Sequence, residues 1–434
     1  MLELFQLLLL GALGMVSVIS SPRASFYNAF EGLNVPLDFQ AITLSYADLF
    51  MLLLVVVSGL RAFAEDDYRL RLGETIKALF APRRAALFVA FLALMLLGVL
   101  WAKQPSLLLF TTLHYAVCLL LVFIAADLVR ARGFGVLWAL LIGGALQAVI
   151  AILQVLNNDT LGLSAFGETQ RLYYEPTDFF RASGLSMHPN YLGGYLMLAC
   201  FAAVWLVFQA WQRKGMRWLP LTLGALCVAG LIGTLSRSAL LSTAVGSLPL
   251  ALIAWRVLHG KARRVALALA AVSALAAVAF AVFAVRGDVM TRFFSGREFF
   301  FADSWNVIQS APILGVGAGN LMHEVWLNVG ITLEPKLPVH NVYLYVWAET
   351  GLIGLLIFAA AWLINLIQLQ TVRGAAYFIM GCGVLALVVV SLFDNYTWAV
   401  HPHRVLTFWW LGIWWGTTWQ TTAENSLSHG APSA

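Results

Sequence analysis

Four stretches of this chain set basic residues beside backbone breakers, and two of them carry a histidine. They are RASGLSMHPNYLGGY from Arg181, TLSRSALLS around Arg237, SGREFFFADSWNVIQSAPILGVGAGN with Arg297 and Trp305, and PVHNVYLYVWAETGLIG, where His340 opens an apolar run. Arg237 occupies a very short turn between two apolar helices, a costly place for a guanidinium unless it reaches water or an anion. Two readings stand: the side chain snorkels to the interface, or its planar fork clamps a phosphate through parallel hydrogen bonds. His340 also has two readings, an interfacial ring packed beside Tyr343 or a proton acceptor, since imidazole suits proton transfer near neutrality. Asn190, His188, Asn341 and Trp305 flank these groups as supporting candidates. His188 precedes Pro189 and also reads as a helix cap.

Other chemistries find little support. The acids of the same loops, Asp394 and Glu349 among them, form no DxD pair, which argues against a divalent-metal diphosphate clamp. No histidines stand at HxxxH or HExxH spacing, and His401 and His403 flank Pro402 in an expected short loop. Cys118, Cys200, Cys227 and Cys382 lie in apolar runs with no CxxC pair, so they read as packing residues. Gly315, Gly317 and Gly319 lack the strand–helix unit of a dinucleotide fold; they read as a place where the chain bends closely over a site. No metal and no cofactor is expected.

The elements that must position these groups are membrane spans. Of 434 residues, 61% are hydrophobic and 11% charged, too apolar for a soluble exterior. A spanning helix takes about 20 apolar residues; twelve such runs are predicted, at 4–20, 46–62, 85–102, 108–128, 134–156, 190–211, 218–235, 238–255, 265–285, 342–367, 375–393 and 404–419. The alternating short segments of a barrel are absent, which leaves an all-α polytopic fold. Residues 1–419 form one transmembrane domain, and 420–434 read as a disordered cytoplasmic tail. The opening MLELFQ lacks the basic start of a signal peptide, so the first run is read as a span of the mature chain.

Sixteen of the 26 basic residues fall in the short even-numbered connections, which puts both termini in the cytoplasm. Two long loops, 157–189 and 286–341, then lie outside, and connections of that length are usually functional or disordered. The second contains a helical pattern around Trp305 and Ile308 and is expected to fold back over the membrane surface. Arg181, Arg237, Arg297 and His340 share that outer face. Asp48 and Gln154 are polar residues near it, read either as bonding to neighbouring helices or as lining a cavity. The basic residues are scattered over many loops, so no nucleic-acid partner is expected.

In order and spacing, Arg181–Asn190, Ser236–Arg237, Arg297 with Trp305, PILGVGAGN (312–320), HNVY (340–343) and ETGLIG (349–354) resemble the O-antigen ligase and polymerase superfamily. The resemblance covers 181–354. It implies a C-type glycosyltransferase of the bacterial inner membrane, metal-independent in the ligases, working on the periplasmic side. The implied donor is a glycan on undecaprenyl diphosphate; the acceptor is lipid A-core in a ligase or a second lipid-linked glycan in a polymerase. By similarity Arg237 and Arg297 bind the diphosphate, Arg181 matches a further arginine of the family and is placed in the same diphosphate-binding set, and His340 activates the acceptor hydroxyl. Three outcomes stay open within the family: O-antigen ligase, the one favoured; O-antigen or exopolysaccharide polymerase; and protein O-oligosaccharyltransferase. From another class, a transporter or flippase of a lipid-linked anion would place charged, broken helices at mid-membrane, whereas here the candidate arginines Arg181, Arg237 and Arg297 share the outer face.

Overall fold

The computed structural model describes residues 1–19, 24–28, 41–80, 84–169, 180–257, 297–329, 337–367 and 374–429. The helices are α1 (Leu2–Val16), α2 (Tyr46–Ala64), α3 (Asp66–Phe80), α4 (Arg84–Leu97), α5 (Pro105–Arg132), α6 (Leu137–Asn157), α7 (Pro189–Gln212) and α8 (Trp218–Gly233). They continue with α9 (Arg237–Val257), α10 (Arg297–Ser310), α11 (Leu321–Val329), α12 (Val342–Ile367), α13 (Ala375–Val390), α14 (Tyr396–Ala399) and α15 (His401–His429).

Of the twelve predicted spans, five helices are long and apolar enough to cross a bilayer: α2, α5, α6, α7 and α12. A sixth arises if α3 and the α4 segment ending at Leu100, bent by 85°, count as one broken span. The other expected runs fare differently. α1, α8 and α13 are apolar but only 15 or 16 residues long, roughly 24 Å at 1.5 Å per residue and short of a 30 Å core. α9 and α15 overlap the runs 238–255 and 404–419. The run 265–285 lies outside the described residues. Twelve crossings are therefore not what the described helices establish, while a multi-pass membrane protein is.

Three features were not anticipated. α3 is an amphipathic helix where a plain loop was expected; its buried face holds Tyr68, Thr75 and Leu79, and Arg71 pins it to Asp127 of α5 at 3.0 Å. A short antiparallel strand pair, Ala24–Asn28 with Ala41–Leu44, interrupts the all-α plan. The backbone of α15 also runs as helix to His429, through the first ten residues of the segment 420–434 that was expected to be a disordered tail.

Local chemistry sets the helix ends that matter below. Ser45 and Asp48 form a reciprocal capping box on α2, the Asp48 carboxylate accepting from the Ser45 amide at 2.7 Å. His188 caps α7, its Nδ1 accepting from the Asn190 amide at 3.1 Å, with Pro189 at the first helical position. α15 runs beside α5 and α13, and four buried tryptophans tie it down. Trp409 donates to Leu10 O, Trp410 to Met380 O, Trp414 to Tyr377 O and Trp415 to Asn365 Oδ1, each at 2.8–2.9 Å. A buried indole N–H needs such a partner, so these bonds fix the depth and rotation of the helix.

α12 is broken at Gly351, whose φ of 69° is a left-handed value. The loop 312–320 docks into the break: Leu352 N donates to Pro312 O at 2.9 Å, and Gly317 N to Glu349 O at 2.8 Å. Gly315, Gly317 and Gly319 all have positive φ. The close approach read from these glycines is made to two neighbours: a Cβ on Gly315 would lie 2.4 Å from the Glu349 carbonyl of the broken helix, whereas one on Gly317 would lie 2.7 Å from Ala102 and one on Gly319 2.6 Å from Thr111 of α5.

Candidate active site

At one end of the bundle a chain of hydrogen bonds joins four residues from three distant segments. Arg181 Nη2 donates to Asn190 Oδ1 at 2.9 Å, and Asn190 Nδ2 donates to Asp394 Oδ2 at 2.6 Å. The other carboxylate oxygen of Asp394 lies 3.3 Å from His340 Nδ1. Asp394 is 1% exposed, and a carboxylate buried to that degree must have its lone pairs filled; the Asn395 amide adds a third bond at 3.0 Å. With Asp394 accepting, Nδ1 of His340 carries the proton and Nε2 is left as the basic nitrogen.

The backbone around His340 is held as firmly as its ring. Asn395 Nδ2 donates to Pro338 O and Val339 O, and Val342 N donates to Ser391 O at 2.8 Å. Asn341 caps α12 by accepting from Leu344 N and donates to Leu392 O. Asn341 thus has a structural task, as His188 does. The Phe300 ring of α10 lies 6.2 Å from the His340 ring, so the loop predicted to fold back over the surface does reach this centre.

Arg237 is the first residue of α9 and is half-buried. The turn before it is tight: Leu235 has a φ of 49°, Thr234 Oγ1 accepts from Ser236 N, and Ser236 Oγ caps α9. The Arg181 segment docks on the same turn, Arg181 Nε donating to Thr234 O at 3.3 Å and Ala182 N to Gly233 O at 3.1 Å. Arg181, Asn190, Asp394 and His340 are therefore one connected unit, and the Arg237 turn is attached to it through Arg181. Arg297 begins α10; its side chain lies outside the described residues.

Two further candidates turn out to hold the framework. Gln154 is fully buried; its oxygen accepts from the Ser183 and Gly184 amides and its nitrogen donates to Glu168 at 2.6 Å. It bonds to the loop that carries Arg181, so neither a neighbouring helix nor a cavity is its partner. Trp305 packs edge-on against Trp347 at 5.8 Å and stacks on Phe301, which seats α10 on α12.

Asp394 is the residue the sequence reading underrated, as one acid among many in the outer segments. The available signal was its place in SLFDN, an acid at the end of an apolar run, where only a partnered carboxylate is tolerated.

A second polar cluster lies among Asp48, His114, His401, Arg404 and Glu349. His114 Nε2 meets Asp48 Oδ1 at 2.7 Å, and Arg404 Nη1 meets His114 Nδ1 at 3.1 Å. Because guanidinium only donates, Nδ1 accepts and Nε2–H donates to Asp48. This settles Asp48 as bonding to a neighbouring helix. Arg404 Nε also donates to Trp398 O at 2.8 Å, and Trp398 Nε1 to Glu349 at 3.1 Å. His401 stacks on His114 at 4.7 Å from the first turn of α15, so it belongs to a helix where a loop was expected. Ligand-type atoms of Asp48, His114 and His401 lie within 4.8 Å of one another, but both His114 nitrogens are engaged and a guanidinium adjoins them. The cluster ties α2, α5, α12 and α15 together.

Long apolar helices carrying, at one end, a carboxylate-oriented imidazole and arginine-bearing turns define a multi-pass membrane protein with a polar centre. Within it, residues 222–359 match the family model described as O-antigen ligase. The O-antigen ligase of Pseudomonas aeruginosa is 31% identical over 189 residues, which is 43% of this chain and 44% of that protein. The match thus spans less than half the length of this curated relative. Both findings support the resemblance to the O-antigen ligase superfamily carried by the motifs of 181–354.

Proposed function

We propose that this protein transfers a glycan from undecaprenyl diphosphate to an acceptor hydroxyl at the periplasmic face of the bacterial inner membrane. Its most fitting role is O-antigen ligase acting on lipid A-core. The observation that carries this reading is the Arg181–Asn190–Asp394–His340 chain, which orients an imidazole with Nε2 as its basic nitrogen. The acceptor O–H gives its proton to Nε2, and the oxygen attacks the anomeric carbon from the face opposite the diphosphate. The anomeric C–O bond breaks, the configuration inverts, and the electron pair leaves with the diphosphate. Arg237, with Arg297 in the role the resemblance gives it, neutralises that charge as it develops, which is what a metal would otherwise do. Arg181 is a positioning residue in this scheme.

The test uses vesicles supplied with lipid-linked donor and lipid A-core. His340→Ala and Arg237→Ala or Lys should abolish or strongly slow release of undecaprenyl diphosphate; wild-type rates in these variants would refute the assigned roles. Release that requires lipid A-core marks a ligase, whereas glycan ladders formed without it mark a polymerase.

A further inference from the structure

At the other end of the bundle, the link between α5 and α6 and the end of α7 line an open polar cavity of ≈ 270 Å³, with Arg132, Gly133, Phe134, Trp138, Gln209 and Arg213 around it and both arginines exposed at its mouth. Gln209 stands 19 positions after Asn190 on α7, roughly 28 Å along the helix axis and close to the thickness of a hydrocarbon core. The cavity is therefore distinct from the His340 centre and lies at the opposite membrane interface.

Its walls are built. Phe134 is buried and packs edge-on against Trp205 of α7, with ring centroids 4.8 Å apart, which fixes the α5–α6 link on α7. Gly133, with a φ of 75°, makes the turn that opens the cavity. Arg132 is held by its Nε, which donates to the Glu3 carboxylate; among the described residues its terminal nitrogens have no acceptor. Glu3 is shared with Arg61, which also pairs with Glu65. Arg61, Arg132 and Arg213 against Glu3 and Glu65 leave one positive charge. No ion pair of Arg213 occurs among the described residues, so that charge sits on the cavity wall. Nearby, Arg130 faces Glu74, and Arg217 lies over the Trp211 ring.

Two guanidiniums, a carboxamide and an indole around a space this small suit one compact anion. The volume lies just below the roughly 300 Å³ at which small-molecule pockets begin. Guanidinium pairs favour phosphate oxygens, and basic pockets between helices at the membrane surface fit lipid headgroups. We infer that this cavity binds a phosphate-bearing anion, most readily the headgroup of an anionic phospholipid, with phosphate on Arg213 and Arg132 and a headgroup hydroxyl on Gln209.

The experiment uses the purified full-length protein in neutral detergent, with phosphatidylglycerol, phosphatidylcholine or inorganic phosphate as separate probes. Lipid adducts are counted by native mass spectrometry and unfolding temperature is followed in parallel. The wild type should retain phosphatidylglycerol over phosphatidylcholine, and R213Q should bind it about tenfold more weakly, as expected for one lost charge-assisted contact. R213Q leaves the Glu3 pair intact, and equal phosphatidylcholine adducts in both proteins check its fold. Q209A serves as a second, uncharged variant. Should phosphate stabilise the wild type but not R213Q while no lipid is retained, the site stands with free phosphate as its source. Equal phosphatidylglycerol binding by wild type, R213Q and R132Q, or no response to any phosphate probe, overturns the inference.

Discussion

Asn190 and Asp394 stand 204 positions apart in the chain, yet the amide nitrogen of the first donates to the carboxylate of the second at 2.6 Å. That bond occupies Oδ2 and leaves Oδ1 for His340. A carboxylate so constrained presents one defined acceptor to the imidazole, which selects the tautomer and the ring plane together.

Asp394→Asn tests this directly. The substitution keeps the volume and replaces one acceptor by a donor, so the ring turns or changes tautomer. Transfer kcat should fall by roughly 10²–10³-fold, within the range general-base catalysis supplies, while the KM for donor changes little. A variant with normal kcat, measured by initial rates in vesicles, would show that Asp394 does not position the base.

Gly351→Ala addresses the broken helix. A Cβ there would lie 2.0 Å from Ile313 O, and the left-handed backbone alone costs about 1–3 kcal/mol in a non-glycine residue. The expected result is a lower unfolding temperature in detergent and loss of transfer, because the 312–320 loop can no longer dock. An unchanged Tm would mean that the loop contact is dispensable.

Acid sensitivity should appear at the opposite end. Glu3, one position ahead of the first expected span, is held down to about 2. The Arg132 hydrogen bond is the main cause and the Arg61 charge assists, against partial burial. A carboxylate depressed in the folded state adds stability that is complete above its unfolded value near 4.5 and fades as pH falls toward 2. The Tm difference between wild type and Glu3→Gln should accordingly be largest at neutral pH and shrink through that acidic window. A constant difference across the window would contradict the assignment.

Chelation provides the fourth test. The Asp48–His114–His401 group has ligand-type atoms within 4.8 Å, but Arg404 sits 3.1 Å from His114 and opposes a cation. EDTA should leave the transfer rate unchanged. A rate lost to EDTA and restored by a divalent cation would require a metal in the reaction and a different account of diphosphate neutralisation.

What the sequence determined by itself was the solvent and the polar groups that stand out in it. Apolar runs specify helices in lipid because composition and length act locally, and Arg237 in its turn and His340 at the head of α12 stand out because both are polar groups in apolar surroundings. The local caps were readable on the same grounds: His188 before Pro189 does cap α7. Tertiary structure decided what no local pattern encodes. Gln154 and Trp305 share the polarity or aromaticity of site residues, yet one staples the loop that carries Arg181 and the other seats α10. Asp394 gains its importance only because α7 and the start of α12 deliver Asn190 and His340 to its two oxygens. Its partners lie 204 and 54 positions away, and it is helix packing that brings them to one carboxylate.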